Sequence, residues 1–579
     1  MRSRAGTPVH RCYPREDHPP GATVTGMSLT RTTIASVLSA GLIAGLTLTA
    51  PSAAQAASPS ATVAAAAAVN KGKAPCTKLP NLKGKKPGQL LAYKEVKVDP
   101  QKLTGARMFR VLYTTTGVDE RSVEATCGLV LMPKKPKKRT NEVVAWAHGT
   151  IGVHQSCQPS NDPDAFLNLG IIKYGNVLGT ASNGILQTFI NRGQMLTATD
   201  YYSGMGLPAN AQQNYILGVP AGAAVLDSVR TGIVLSQKLG SKKAKKYEMA
   251  VWGASQGGAA ALWAGQLAKD YLAKTKVKKQ PKIDQVGVVA TVPASQYVAT
   301  ENTAPELIGR HLADLEMHEP ALVNGQPAAV MGPLLFSLVM TSWSKYPKTG
   351  TLSPGANFPG YPADAGNIAM SDVLTSEGID TANTISASCL GLGSGLQTTK
   401  YLQPQQHAFF APPIWGGPTG PNGAWLGQLD KTCLDPATPQ GQKNWCEWLS
   451  YNQPGPNGTN PFSKYPLRAN GKQAPVLIAE GMADNIIYCM SSGTAVPAAG
   501  DCMAVQLYES MAPACSATKV QLDLFAVTPK DPSDHLTTTF QLADAGGGKY
   551  KGSRMDTFLK SAFKDTVKPG CSAQVVNAG

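Results

Sequence analysis

Short apolar runs alternate with longer helix-like stretches through much of this chain. Runs of strand length stand at residues 108–116 (MFRVLYTTT), 124–133 (EATCGLVLMP), 142–149 (EVVAWAHG), 194–201 (QMLTATDY), 247–255 (YEMAVWGAS), 285–293 (QVGVVATVP), 474–484 (APVLIAEGMAD) and 520–527 (VQLDLFAV). Helix-like stretches separate several of them, notably residues 217–240 and 256–274. Strand, helix, strand repetition implies one sheet with helices on both faces. The expected class is α/β, a mostly parallel sheet flanked by helices. Between about Ala299 and Lys472 the alternation fails, and Gly, Pro and aromatic residues become frequent (NFPGYPADAGN, FFAPPIWGGPTGPNGAW). One apolar block remains there, residues 328–343. Gly332 and Pro333 interrupt it, which leaves it short of the roughly 20 residues of a membrane span. It reads as a buried or cap helix. The expected organisation is a core in two parts, residues 76–298 and 473–579, around a cap insertion at 299–472.

The N-terminal region is unlike the rest. Arg31 precedes the apolar run IASVLSAGLIAGLTLTA, and Ala54-Gln55-Ala56 follows as a cleavage pattern, so residues 27–56 read as a secretory signal peptide that starts at Met27. Residues 1–26 then read as a mis-assigned start or a disordered leader, and 57–75 as an Ala-rich linker. The alternative, an N-terminal membrane anchor, is disfavoured because the apolar run is shorter than a span. Export gives the cysteines a meaning. Apart from Cys12 there are ten: Cys76, Cys127, Cys157, Cys389, Cys433, Cys446, Cys489, Cys502, Cys515 and Cys571. An even number, widely scattered and without a Cys-x-x-Cys pair, points to as many as five disulfides and away from zinc or redox chemistry.

Charge changes the picture little. The net charge is +16, and setting aside the five Arg, one Glu and one Asp of residues 1–56 leaves +13. Much of the excess lies in KGKK, PKKPKKRT, SKKAKKYE and KTKVKKQPK, which fall between apolar segments as surface turns. A nucleic-acid site would gather such charges on one face with aromatic residues between them, so no nucleic-acid partner is expected. An anionic surface such as a cell envelope or lipid interface would attract a basic exported protein.

The chemistry concentrates around YEMAVWGASQGGAAALWAG, residues 247–265. Gly253-Ala254-Ser255-Gln256-Gly257 fits Gly-x-Ser-x-Gly, in which a strand turns abruptly into a helix and the serine takes a strained conformation at the corner. The strand before and the Ala-rich helix after are the context this pattern needs. The helix start offers unpaired N–H groups to a developing oxyanion, with the Gln256 N–H as donor. A serine nucleophile needs a base, itself oriented by a carboxylate. Of eight histidines, His10 and His18 precede the mature chain, His148 and His154 belong to an early loop, and His311, His318 and His407 lie in the irregular insertion. His535, in DPSDHLTTT after the last strand-like run, remains as the base. Asp484 lies a few residues past a strand and completes the chain order Ser, Asp, His. Glu480 is the reserve acid; Asp534 adjoins His535 and Asp523 lies within a strand. The second oxyanion donor is expected from His148-Gly149-Thr150, through the Thr150 N–H with or without its hydroxyl, and His148 is expected to pack beneath that loop.

These residues together resemble the secretory lipases of the α/β-hydrolase superfamily, the secreted yeast and actinobacterial triacylglycerol lipases. YTTTGVDERSVEATCGLVLMP, AWAHGT with CQPS downstream, LTATDYYSGMG, GASQGG, LIAEGMADNIIY and DHLT look like successive landmarks of that family, in order, over residues ~105–571. The resemblance implies an α/β-hydrolase fold with a large cap insertion, and ester hydrolysis by Ser255 with Asp484 and His535. It also implies a deep acyl-chain tunnel within the cap, and no metal or organic cofactor. It further implies that Cys157 ties the oxyanion-side loop to the cap through Cys389, and that Cys515 and Cys571 fasten the C-terminal region. Proximity and what remains suggest Cys76–Cys127, Cys433–Cys446 and Cys489–Cys502. A lipid or other ester is the expected substrate, the protein a secreted monomer. Departures from the family pattern are the SQGG of the corner, with Gln256 and Gly258, an insertion soon after the acid, and a long cap rich in Gly and Pro. They bear on chain-length preference and lid behaviour more than on the reaction. Rival readings are a short-chain or aryl esterase or polyester hydrolase, and an inactive exported envelope-binding protein; the intact Ser, Asp, His order argues against the last.

Overall fold

A computed structural model of the chain describes residues 76, 81–99, 103–118, 122–135, 141–161, 179–201, 213–276, 280–298, 322–323, 326–327, 331–344, 368–387, 389, 415–418, 425–427, 433, 435–484, 486–491, 494–514, 519–528, 533–535, 537–544 and 549–576. The leader, signal peptide and linker expected at residues 1–75 lie outside the described residues, as does much of 299–432.

One ten-stranded sheet organises the fold. Its strands in chain order are β1 (Leu90–Val96), β2 (Ala106–Thr116), β3 (Val123–Pro133), β4 (Glu142–Ala147), β5 (Met195–Thr199), β6 (Lys246–Ala254), β7 (Lys282–Thr291), β8 (Val476–Gly481), β9 (Lys519–Phe525) and β10 (Gly570–Val576). In space they run β1-β2-β3-β5-β4-β6-β7-β8-β9-β10. From β5 to β10 every neighbouring pair is parallel, whereas β1, β2, β3 and β5 pair antiparallel. The sheet is therefore mixed and mostly parallel. The antiparallel flank has a plain cause: β1, β2 and β3 are joined by short loops, and a parallel pairing needs a crossover of a dozen residues or more.

Alternate side chains of the central strands enter two different cores. Val143, Ala145 and Ala147 of β4, with Met249 and Val251 of β6, pack among residues of α2 (Gly218–Lys238) and α3 (Gln256–Lys274). Val144, Trp146, Ala250 and Trp252 face the opposite side, among residues of α1 (Gly179–Arg192) and α9 (Arg554–Phe563). Trp146 and Trp252 pack there with ring centroids 4.1 Å apart. Because both faces are covered, these strands are apolar at nearly every position. The edge strands differ: every residue of β1 is half-buried, and β10 is half-buried to exposed.

A further cluster gathers α4 (Met331–Trp343), α5 (Ser376–Ser386) and α6 (Gln440–Asn452) with Tyr215, Ile216 and Leu217, just before α2. Leu335, Phe336, Leu338, Val339, Met340 and Trp343 of α4 are all buried. The described part of the apolar block, Met331–Trp343, is thus a helix, buried from Leu335 to Trp343. Gly332 and Pro333 do not interrupt it: they fall in its first turn, where the missing proline N–H removes no intrahelical bond. Trp343 Nε1 donates to the Tyr215 carbonyl at 2.7 Å. Asn452, at the end of α6, accepts the Gly218 N–H at 2.8 Å, one of the orphan donors at the start of α2. Among the described residues the remaining α-helices are α7 (Met503–Met511) and α8 (Thr537–Gln541).

Four of the five expected disulfides are present: Cys76–Cys127, Cys157–Cys389, Cys433–Cys446 and Cys489–Cys502. Cys571 is disulfide-bonded, and the partner expected for it, Cys515, lies outside the described residues.

Candidate active site

Parallel strands bring their C-terminal ends to one edge of the sheet, and residues that follow different strands meet there. Ser255 follows β6, Asp484 lies three residues beyond β8, and His535 stands in the loop after β9. Ser255 occupies the corner between β6 and α3 with φ 57° and ψ −120°. A side-chain-bearing residue held there stores about 1–3 kcal/mol of strain. Backbone hydrogen bonds fix it: the Ser255 N–H donates to the Thr291 carbonyl at 3.0 Å, and its own carbonyl accepts the N–H groups of Ala259 and Ala294, each at 3.1 Å.

The glycines around Ser255 answer to steric need. A Cβ on Gly257 would overlap the Ala147 carbonyl and lie 2.7 Å from the His148 oxygen, and one on Gly253 would overlap the Gly257 carbonyl. The first turn of α3 is thereby pressed against the end of β4. Gly257→Ala is expected to cost about 3 kcal/mol of stability through overpacking against rigid backbone, and to lower turnover by pushing the His148–Thr150 loop from Ser255. Urea unfolding beside ester hydrolysis checks both; an unchanged midpoint would show that the loop yields without cost.

Asp484 is fully buried, and each of its oxygens has donors. Oδ1 accepts the N–H groups of Ile486 (2.8 Å) and Ile487 (2.9 Å), while Oδ2 lies 2.6 Å from His535 Nδ1. A carboxylate only accepts, so Nδ1 carries the proton and Nε2 is left as the basic atom. The two loops are also joined through backbone, the Ala483 N–H donating to the Ser533 carbonyl at 3.2 Å. Among the described residues, no hydrogen bond joins Ser255 to His535; in a resting enzyme such contacts are often long and tighten only when substrate binds. Ile486 and Ile487, whose amides hold Asp484, line the same pocket as Ser255.

The competing acids have other work. Asp534 accepts the Thr537 N–H at 2.8 Å and opens the turn into α8. Asp523 is held by the Arg554 guanidinium and by Gln574 Nε2 at 2.8 Å. Glu480 is fully buried, with Oε1 accepting the Gly481 N–H at 3.0 Å.

On the other side of the serine, a Cβ on Gly149 would lie 3.2 Å from the Ala254 oxygen and 3.7 Å from Ser255 Cβ, so the His148–Thr150 loop runs alongside the corner. Tyr201 Oη donates to the His148 carbonyl at 2.8 Å, and Thr150 Oγ1 is 2.8 Å from Tyr215 Oη. Gln256 is buried as the first residue of α3, and its N–H, at the head of the helix, has no intrahelical acceptor. His148 is buried, with Nδ1 2.7 Å from the Gly149 carbonyl. Burial pushes its pKa down to about 4 against the pull of that hydrogen bond, so it is neutral at working pH and packs under the loop.

The pocket beside Ser255 is apolar, with Tyr215, Tyr297, Phe336, Val339, Leu449 and Ile487 among its walls. Its volume is about 20 Å³, room for about one water molecule. Tyr215 and Tyr297 carry no motif and went unread in the sequence. Among the described residues no group of three or more His, Cys, Asp or Glu side chains is placed to hold a metal ion.

The secretory lipase family model matches residues 178–303. That is about a fifth of the chain, and it holds α1 to β7 with the Ser255 corner between. Among solved structures, the closed state of Candida antarctica lipase A aligns at 15% identity over 86% of this chain and 86% of its own, with a TM-score of 0.50. A rice cell wall degrading esterase, LipA from Xanthomonas oryzae, aligns at 12% identity over 83% of this chain and 100% of its own, TM-score 0.46, and a putative hydrolase from Legionella pneumophila at 14% over 83% and 99%, TM-score 0.46. No curated protein matches. The chain has the α/β-hydrolase fold. Together with the family match, the fold supports ester hydrolysis of the lipase or esterase kind.

Proposed function

We propose that this chain hydrolyses carboxylic esters with apolar acyl groups, glycerides among them, through an acyl-enzyme on Ser255. The observation that carries the reading is the Asp484–His535 hydrogen bond at the sheet edge where Ser255 sits strained at the head of α3. Bare Nε2 of His535 takes the Ser255 proton as Oγ attacks the ester carbonyl. The N–H of Gln256 and that of Thr150 receive the oxyanion, each worth about 3 kcal/mol in the transition state. The imidazolium then protonates the leaving alcohol, and water repeats the sequence to free the acid. Asp484 keeps Nδ1 protonated and stabilises the charged ring. Four disulfides fit an oxidising compartment and so an extracellular protein.

A short-chain esterase is the second reading, and the small volume beside Ser255 favours it. Hydrolysis of p-nitrophenyl esters from acetate to palmitate separates the two, with fluorophosphonate labelling of Ser255 as the test of the shared chemistry. Failure of the folded protein both to hydrolyse any ester and to be labelled would end the proposal. Phe336, on α4, is a wall of the pocket and is buried. Phe336→Ala is expected to raise the ratio of octanoate to butyrate hydrolysis about tenfold, since pocket shape discriminates by about that factor per methylene. An unchanged ratio would place the acyl chain elsewhere.

A further inference from the structure

Glu480 stands next to the end of β8 with its side chain wholly out of solvent. Oε1 accepts the Gly481 N–H, but Oε2 is buried with no donor facing it. The group in hydrogen-bonding contact with this side chain is the Asp484 carboxyl. Two ionised carboxylates can only accept, so in contact and away from water they repel; a single proton between them turns repulsion into a hydrogen bond. That proton belongs on Glu480. Asp484 is faced by three donors, from Ile486, Ile487 and His535, all of which favour its charged form, whereas Glu480 is faced by one.

We propose that Glu480 is a positioning residue for the acid: its neutral carboxyl donates a hydrogen bond to Asp484 and thereby fixes the carboxylate that orients His535. The inference rests on the roles given above to Asp484 and His535. Burial first, and then the Asp484 charge, hold the Glu480 carboxyl well above the ordinary carboxylate range, which favours its protonated form. Asp523, the buried carboxylate on β9, points by strand alternation to the opposite face of the sheet, where Arg554 and Gln574 hold it. The register partner of Glu480 on β9 is Leu524, and α8 brings Thr538 beside Gly481. On the face shared with β8, Glu509 of α7 is exposed, and the charged residues of α3 begin at Lys269, about 20 Å along the helix from Ser255. Asp484, with His535 behind it, is the charge that Glu480 faces.

The consequence is an alkaline limit on activity. Once Glu480 loses its proton, two adjacent negative charges repel, Asp484 is pushed from its place, and the imidazole is no longer held in the orientation a base needs. The stability contributed by neutral Glu480 follows the same sign: it is present at low pH and is lost as pH rises through the elevated pKa.

Wild type, Glu480→Gln and Glu480→Leu test this together. Glutamine keeps a donor toward Asp484 and cannot ionise; leucine offers neither. Infrared spectra near pH 7 are expected to show a buried carboxylic-acid carbonyl band in the wild type that Glu480→Gln lacks. The downfield NMR proton of the Asp484–His535 hydrogen bond is expected to persist in Glu480→Gln and to move or vanish in Glu480→Leu. In ester hydrolysis, Glu480→Gln should stay near wild type at neutral pH and lose the alkaline limb, while Glu480→Leu drops kcat about tenfold or more at similar KM, the cost of one buried hydrogen bond to a charged group. The proposal is overturned if the infrared band survives in Glu480→Gln, if Glu480→Leu keeps both the downfield proton and full kcat, or if glutamine is as damaging as leucine. The two spectroscopic readouts need no substrate. If no ester is turned over and yet both respond as described, the hydrolase reading fails while the Glu480 assignment stands.

Discussion

Replacing Ser255 with alanine is expected to lower kcat for ester hydrolysis by about five to six orders of magnitude while leaving the fold intact. The hydroxyl is the one atom lost. The bonds that hold the corner run through backbone, from the Ser255 N–H to Thr291 and from Ala259 and Ala294 to the Ser255 carbonyl, and alanine keeps all three. The strain at φ 57° is also unchanged, since it comes from the Cβ that both residues carry. Thermal unfolding should therefore be shifted little, and binding of a non-hydrolysed ester analogue should survive. The effect belongs to kcat, because the missing group forms its bond only in the chemical step. Background cleavage helped by the oxyanion donors remains, which sets the floor. Turnover of p-nitrophenyl butyrate by folded Ser255→Ala above about one hundredth of wild type would exclude Ser255 as nucleophile, since that loss is far below what removal of such a group causes. The same sample should also resist fluorophosphonate labelling.

Where a physical constraint is local, the sequence carried it. The central strands β4 and β6 are apolar at successive positions because each face meets its own core, and the corner announced itself through Gly253 and Gly257, which sit where a Cβ has no room. The buried character of α4 was visible in its composition, but its start was not, since Gly332 and Pro333 look like a break until the helix is seen to begin there. The edge strands β1 and β10, half-buried or exposed, carry too little periodicity to stand out from loops, and strand direction leaves no mark on an apolar pattern, so the antiparallel flank went unread. At the site, order along the chain singled out Ser255, Asp484 and His535, yet Glu480 stayed open as the acid because two carboxylates four residues apart look alike on paper. The turn after β8 separates them: it aims Asp484 at His535 and leaves Glu480 behind it. Tyr215 and Tyr297 reach the pocket from segments remote in sequence, and only the packing of α4 and α6 brings them there.

Asp484→Asn should come next in size, with kcat reduced by about four orders of magnitude. Volume and burial hardly change, so the loss will not come from unfolding. It comes from the proton on the imidazole. In the wild type Oδ2 can only accept, so Nδ1 of His535 must donate and Nε2 is free to take the Ser255 proton. The substituted asparagine presents one oxygen and one NH₂. In the wild type Oδ1 is the acceptor of two backbone N–H groups, from Ile486 and Ile487, so the asparagine oxygen is expected to remain there and to turn its NH₂ toward His535. Nδ1 must then accept, the proton moves to Nε2, and the ring faces the serine with a donor where a base is required. Loss of the negative charge also removes the stabilisation of the imidazolium formed during attack. The variant should bind substrate nearly as before, lose kcat at neutral pH, and lose the downfield Nδ1 proton from the NMR spectrum. Glu480 adds a contrast: with position 484 neutral, the like charge that helps hold its proton is gone, so its carboxyl should ionise at lower pH than in the wild type. A variant that keeps wild-type kcat would exclude Asp484 as the acid, and loss of that remaining activity when Glu480→Gln is added would move the role to Glu480.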